Sequence, residues 1–220
     1  MKIRLSRSTV SFLLVLAMGG GLAGCGGGGG GLSNDNPGNN DLNVVVAFGD
    51  SITQGRQCPC TPYPARVQSI IGKTVYNTGI GGSDATANIG RTQSAIDKYH
   101  PAFMVILYGV NDVIHGHNAG DIVSALNQMV SICKANNVVP VLMTYPIPIS
   151  GHALFAGGTM ALNANIRSIA DMEGIECVDL EAEFMNSDGT LTDSALYESD
   201  GLHPNDAGTE IIALAVADLF

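Results

Sequence analysis

Asp200-Gly201-Leu202-His203 sets a carboxylate three residues before an imidazole. One tight turn at that spacing brings the two side chains together, and a carboxylate against an imidazole fixes its tautomer and stabilises the imidazolium. Pro204 disfavours helical geometry for His203 and so keeps the ring on a loop. A histidine prepared this way is a general base in need of a nucleophile. Ser51, in Gly49-Asp50-Ser51-Ile52-Thr53, is the candidate. A serine hydroxyl is unreactive at its own pKa and attacks a carbonyl only when a base takes its proton. Taken singly, these residues also have ordinary readings: Ser51 could bond its own turn, and Asp200 could simply close the turn before His203.

The elements that must position these groups are read from the apolar pattern. Asn43–Phe48, Thr74–Asn77, Phe103–Leu107, Val138–Thr144 and Glu176–Asp179 are short, mostly continuous apolar runs, the mark of strands covered on both faces. Helical patterns fill Pro64–Ile71, Ala87–Tyr99, Gly120–Ala135, Thr159–Met172 and Ala207–Leu219, with Asp206 as the expected N-cap of the last. Strand–helix alternation predicts right-handed βαβ units. The expected fold is a three-layer α/β/α sandwich of the flavodoxin type around a five-stranded parallel sheet, with ligands at the carboxyl ends of the strands. The chemical residues stand on those loops: Gly49–Thr53 after the first strand, Asn77–Ser83 after the second, Tyr108–Asp112 after the third, and Asp200–Asn205 before the last helix.

In this order the four blocks resemble the SGNH (GDSL) hydrolase family, over Ala47–Asn205. The resemblance implies a catalytic triad of Ser51, His203 and Asp200, and an oxyanion hole formed by the Ser51 and Gly82 backbone N–H groups and the Asn111 side chain. Glycine at 82 would let a substrate oxygen approach closely. Asn111 donates without adding a titratable group, although it could equally cap a helical turn. Asp50 and Asp112 are read as hydrogen-bond partners that support these groups. The implied activity is that of an esterase or acylhydrolase (lipase and thioesterase chemistry among the options) working through an acyl-enzyme, without a cofactor. A carbohydrate O-acetyl esterase and a non-catalytic surface binding lipoprotein are the alternatives. The α/β-hydrolase elbow G-x-S-x-G is not met, since Gly81-Gly82-Ser83-Asp84-Ala85 ends in the wrong residue; Ser83 reads as a turn residue.

The chain has 220 residues, 45% of them hydrophobic and 14% charged, enough for one domain with a real core. The net charge of −10, with thirteen acids and no Lys or Arg from Asp171 to Phe220, argues against nucleic acid as a partner. No dinucleotide or P-loop glycine motif occurs. The absence of Trp supplies no stacking platform for long glycans and favours small acyl esters. Gln54–Pro64 and Tyr145–Gly158 are expected to shape the acyl and alcohol pockets.

Residues 1–24 read as a lipoprotein signal peptide: Lys2, Arg4 and Arg7 precede a short apolar run, and Leu22-Ala23-Gly24-Cys25 resembles a lipobox. The resemblance implies lipidation of Cys25 and an extracytoplasmic protein anchored to a bacterial membrane, the outer one if present, since residue 26 is not Asp. An ordinary secretory signal with a stray cysteine is the alternative. Residues 25–41 read as a flexible Gly/Asn-rich tether and residues 42–220 as the hydrolase domain. Pairing among Cys58, Cys60, Cys133 and Cys177 stays open. His115-Gly116-His117 is an H-x-H pair with no third ligand evident nearby, so these read as loop histidines and no metal is expected.

Overall fold

The computed structural model describes residues 31–187, 189 and 192–220; the proposed signal peptide and Cys25 lie outside the described residues. Five parallel strands, β1 (Asp41–Gly49), β2 (Thr74–Asn77), β3 (Pro101–Leu107), β4 (Val139–Met143) and β5 (Cys177–Val178), form one sheet in the order β2-β1-β3-β4-β5. β3, with the run Pro-Ala-Phe-Met-Val-Ile-Leu, is buried at every position, as a central strand covered on both faces must be. β2 is an edge strand and largely exposed.

The helices are α1 (Ser51–Gln54), α2 (Tyr63–Ile71), α3 (Ala85–Tyr99), α4 (Val110–His115), α5 (Ala119–Ala135), α6 (Ala156–Glu173), α7 (Leu180–Glu183) and α8 (Asp206–Ala217). The β1-to-β2 crossover runs one way across the sheet and the others run the opposite way. Right-handedness therefore places α2 on one face and α3, α5 and α6 on the other. α8 packs on α2, and α3 packs on α5, which completes the three layers. The direction of travel reverses between β1 and β3, and in open parallel sheets the crevice beyond that reversal is where ligands bind.

The short helices α1, α4 and α7 and several element bounds differ from the sequence reading, and so do two further details. The N-cap of α8 is Asn205, whose side chain accepts from Gly208 N, one residue before the expected Asp206. The stretch from Leu32 onward is laid against the domain and is not free chain. Leu32 N–H donates to Leu219 O, and Asn34 Nδ2 donates to Ala102 O (2.9 Å) and Asn137 O (2.8 Å). Asn40 Nδ2 reaches Asn136 O at 2.8 Å. The asparagines that make the composition look like a linker are here donors that cap backbone carbonyls at the amino edge of the sheet.

The acidic C-terminal segment takes its counter-charges from earlier elements. Arg66 of α2 pairs with Asp206 and Glu210 of α8, Arg167 of α6 with Asp179 and Glu181, and Lys134 with Glu173. Cys58 and Cys60 are joined as a disulfide. Cys133 is a buried thiol, its pKa pushed up to about 12 by burial.

Candidate active site

β1 ends at Gly49, where the backbone turns directly into α1. A Cβ there would lie 2.2 Å from Thr53 Oγ1 and 2.7 Å from Leu107 O, so only glycine lets the turn close. Asp50 caps the turn through Ile52 N at 2.9 Å and leaves Ser51 as the first helical residue, 7% exposed beyond the carboxyl end of β1. The Ser51 hydroxyl lies 2.9 Å from His203 Nε2, and His203 Nδ1 lies 2.6 Å from Asp200 Oδ2. Asp200 is fixed in turn by its second oxygen, which accepts from Leu202 N (2.9 Å) and His203 N (3.0 Å). Burial alone would raise the Asp200 pKa. The Leu202 N–H, the His203 ring and the His203 N–H outweigh that and hold it below the usual carboxylate range.

Gly82 and Asn111 stand on neighbouring loops. Gly82 has φ +73°, and a Cβ built on it would meet nothing within 4 Å. The left-handed backbone by itself favours glycine there. The loop is braced by Gln54 Oε1, which accepts from Gly81 N at 2.8 Å, and by Ser83 Oγ, which donates to Ile80 O at 2.7 Å as a turn residue. Asn111, on α4, donates from Nδ2 to Asp50 Oδ2 and to Ser83 O, both at 3.2 Å. Its neighbour Asp112 is fully buried and accepts from Ala85 N (2.6 Å), Thr86 N (3.1 Å) and Thr86 Oγ1 (2.8 Å). It therefore caps α3 from a different element and locks α4 to the loop that carries Gly82.

Three residues given no individual role by the sequence reading, two of them within the Tyr145–Gly158 segment, complete the surroundings. Tyr145 is buried after β4 and donates its hydroxyl to Asp50 Oδ2 at 2.7 Å. Asn163 of α6 holds the Tyr145 backbone at both ends, accepting from its N–H and donating to its carbonyl at 2.8 Å each. His152 Nδ1 contacts Asp200 O at 2.8 Å, while Ile149 N donates to Gly201 O at 2.8 Å and Tyr197 Oη to Ile147 O at 2.9 Å. The Tyr145–Gly158 segment is thus strapped to the turn that bears Asp200 and His203. The only hint in the sequence was position, since Tyr145 follows a strand at its carboxyl end.

Asp50 is fully enclosed. Burial raises its pKa from 3.8 to about 6, against the opposing effect of the Tyr145 hydroxyl and the Ile52 N–H.

His115 and His117 do have a third potential ligand, which corrects the sequence reading. Asp84, thirty-one residues before His115, places Oδ1 at 2.7 Å from His115 Nδ1 and Oδ2 at 3.4 Å from His117 Nε2. The fold supplies this partner from the opposite loop, far from the histidines in sequence.

Residues 47–211 match the GDSL-like Lipase/Acylhydrolase family. An arylesterase of Vibrio mimicus is 26% identical over 110 residues, 47% of this chain and 55% of that protein, so the match spans about half of the relative's length. An uncharacterized lipoprotein of Bacillus subtilis (strain 168), YqeF, is 27% identical over 213 residues, covering 79% of this chain and 88% of the relative. Among solved structures, Axe2, an acetylxylan esterase from Geobacillus stearothermophilus, superposes with a TM-score of 0.68 at 22% identity over 83% of this chain and 96% of Axe2. That last likeness speaks for the fold. The chain belongs to the GDSL-like lipase/acylhydrolase family.

Proposed function

We propose that the protein cleaves small carboxylic esters through a covalent acyl-enzyme on Ser51. The observation that carries this reading is the unbroken relay from Ser51 Oγ to His203 Nε2 and from His203 Nδ1 to Asp200. His203 takes the hydroxyl proton as Ser51 attacks the acyl carbon, and the ionised Asp200 stabilises the imidazolium that results. His203 then protonates the leaving alcohol. Water, deprotonated by the same imidazole, releases the acid and restores the serine.

Negative charge on the acyl oxygen would be met by the Ser51 and Gly82 N–H groups and by Asn111 Nδ2. The 3.2 Å hydrogen bond from Asn111 to Ser83 O is long enough to be exchanged for one to the oxyanion, while the bond to Asp50 keeps the amide aimed. An intact relay of this kind has no use in a pure binding module, which speaks against the non-catalytic alternative. Turnover of a chromogenic acetyl ester, and labelling of Ser51 alone by a serine-directed phosphonate, test the proposal. Wild-type turnover by Ser51→Ala would refute it.

The same proposal includes lipid anchoring at Cys25, supported by the lipobox-like residues and by the similarity to a Bacillus lipoprotein. None of the helices among the described residues is long and apolar enough to cross a membrane. Full-length protein should partition with membranes and Cys25→Ser should not; an unmodified N-terminus in a wholly soluble wild-type protein would remove this part of the proposal.

A further inference from the structure

Asp84 immediately precedes α3, the position from which a short acidic side chain normally caps a helix. It makes no such bond: Asp112 occupies the first-turn N–H groups of Ala85 and Thr86 instead. The Asp84 carboxylate is turned the other way, with one oxygen toward each of His115 and His117. The two imidazoles converge because α4 ends at His115 and Gly116 (φ +76°) reverses the chain, while His117 N–H ties back to Asp112 O at 2.9 Å. One ligand atom from each of the three residues lies within 4.8 Å of the other two.

We propose that Asp84, His115 and His117 bind a divalent transition-metal ion of the zinc class, and that this ion clamps the Gly82 loop to α4. Two imidazoles and one carboxylate suit zinc, with water completing a tetrahedron. They do not suit calcium or magnesium, which want six or more oxygens or an octahedral shell. Ligand atoms about 2.0–2.1 Å from zinc stand about 3.4 Å apart in a tetrahedron. The Asp84–His117 separation is already 3.4 Å, and the Asp84–His115 pair at 2.7 Å needs only a small opening of side chains near the surface. Asp84 lies two residues after Gly82, and His115 and His117 follow Asn111 by four and six. The ion would therefore join the two segments that carry the proposed oxyanion donors. This consequence, unlike the binding itself, rests on the hydrolase reading given above.

Chelator-treated full-length protein is dialysed against zinc, and binding is read by calorimetry and by thermal unfolding. One ion per chain is expected, with a Tm rise of about 5–10 °C at a hundredfold excess over Kd. No response to magnesium or calcium is expected. Asp84→Asn and the paired His115→Ala, His117→Ala change should each weaken binding by more than the roughly tenfold that loss of an outer partner costs. Zinc binding equal in wild type and both variants, or none in wild type, overturns the site. Zinc should also change kcat for an acetyl ester at least twofold in wild type and not in the paired histidine variant. Site-specific binding without that change overturns the clamp alone, and absence of any esterase activity would fault the hydrolase reading while the calorimetry still decides the site.

Discussion

The phenolic hydrogen of Tyr145 is donated to the carboxylate of Asp50, the residue directly before the proposed nucleophile, across ninety-five positions of chain. The same oxygen accepts from Asn111, so one buried carboxylate links the nucleophile turn, the loop after β4 and the proposed oxyanion donor. Its pKa, raised by burial to about 6, gives this arrangement a pH signature.

Because the folded-state value lies above the unfolded one, the folded protein holds the Asp50 proton more tightly. Stability should therefore fall as pH rises from about 4 to about 6 and stay lower above that. Asp50→Asn should lack this descent, so the difference between the two proteins' stabilities, measured in urea from pH 4 to 8, isolates it. The same substitution should lower kcat about tenfold to a hundredfold with little change in KM, since Asn111 loses the charged acceptor that aims it. Identical pH–stability curves for the two proteins would show that Asp50 does not titrate in this range.

Asp200→Asn should keep the fold, because an amide oxygen can still accept from Leu202 N and His203 N. It should nonetheless cost about a factor of 10³–10⁴ in kcat, since His203 loses the partner that selects its tautomer and offsets its positive charge. Steady-state kinetics with circular dichroism separates this from unfolding.

Thr92 lies fully buried in α3, and its hydroxyl is the one buried side-chain oxygen or nitrogen among the described residues with no hydrogen-bond partner. An isosteric methyl removes that desolvation cost. Thr92→Val should stabilise by about 1 kcal/mol and raise Tm by about 2–4 °C without affecting turnover. A lower Tm in a scanning calorimeter would mean that the hydroxyl is satisfied.

The segment before β1 is worth more than its composition suggests. A chain beginning at Leu42 lacks the Asn34 and Asn40 hydrogen bonds to Ala102, Asn136 and Asn137, whereas one beginning at Gly31 keeps them. At about 1 kcal/mol for each net hydrogen bond, the shorter chain should be about 2–3 kcal/mol less stable in urea, with esterase activity retained.

Much of this architecture is legible in the sequence because each signal is local. The apolar runs Val44–Phe48 and Phe103–Leu107 have no alternative to burial, and Asp200 and His203 are joined by one turn. What escaped is what only the sheet order brings together. Asp84 and His115 share no local pattern; they meet because the loop after β2 and the segment after β3 converge beside Ser83 and Asn111. Tyr145 and Asn163 likewise act through contacts between loops. The short helices α1, α4 and α7 fall below the length at which apolar periodicity can be read. Asn34 and Asn40 carried the opposite message, since the same amides suit solvated chain and carbonyl capping alike.

The carbonyls capped by Asn34 and Asn40 lie where β3 and β4 begin, whereas Ser51 lies past the end of β1, nine residues at about 3.3 Å each further along the sheet. Gly31 and Phe220 sit side by side at the capped edge. A bead, vesicle or fusion partner joined at Gly31 or Phe220 would therefore be attached at the base of the domain, about 30 Å from the reactive serine. Immobilisation through the N-terminus should then leave kcat/KM for a dissolved ester almost unchanged, and an ester embedded in the carrier itself should be the poorer substrate.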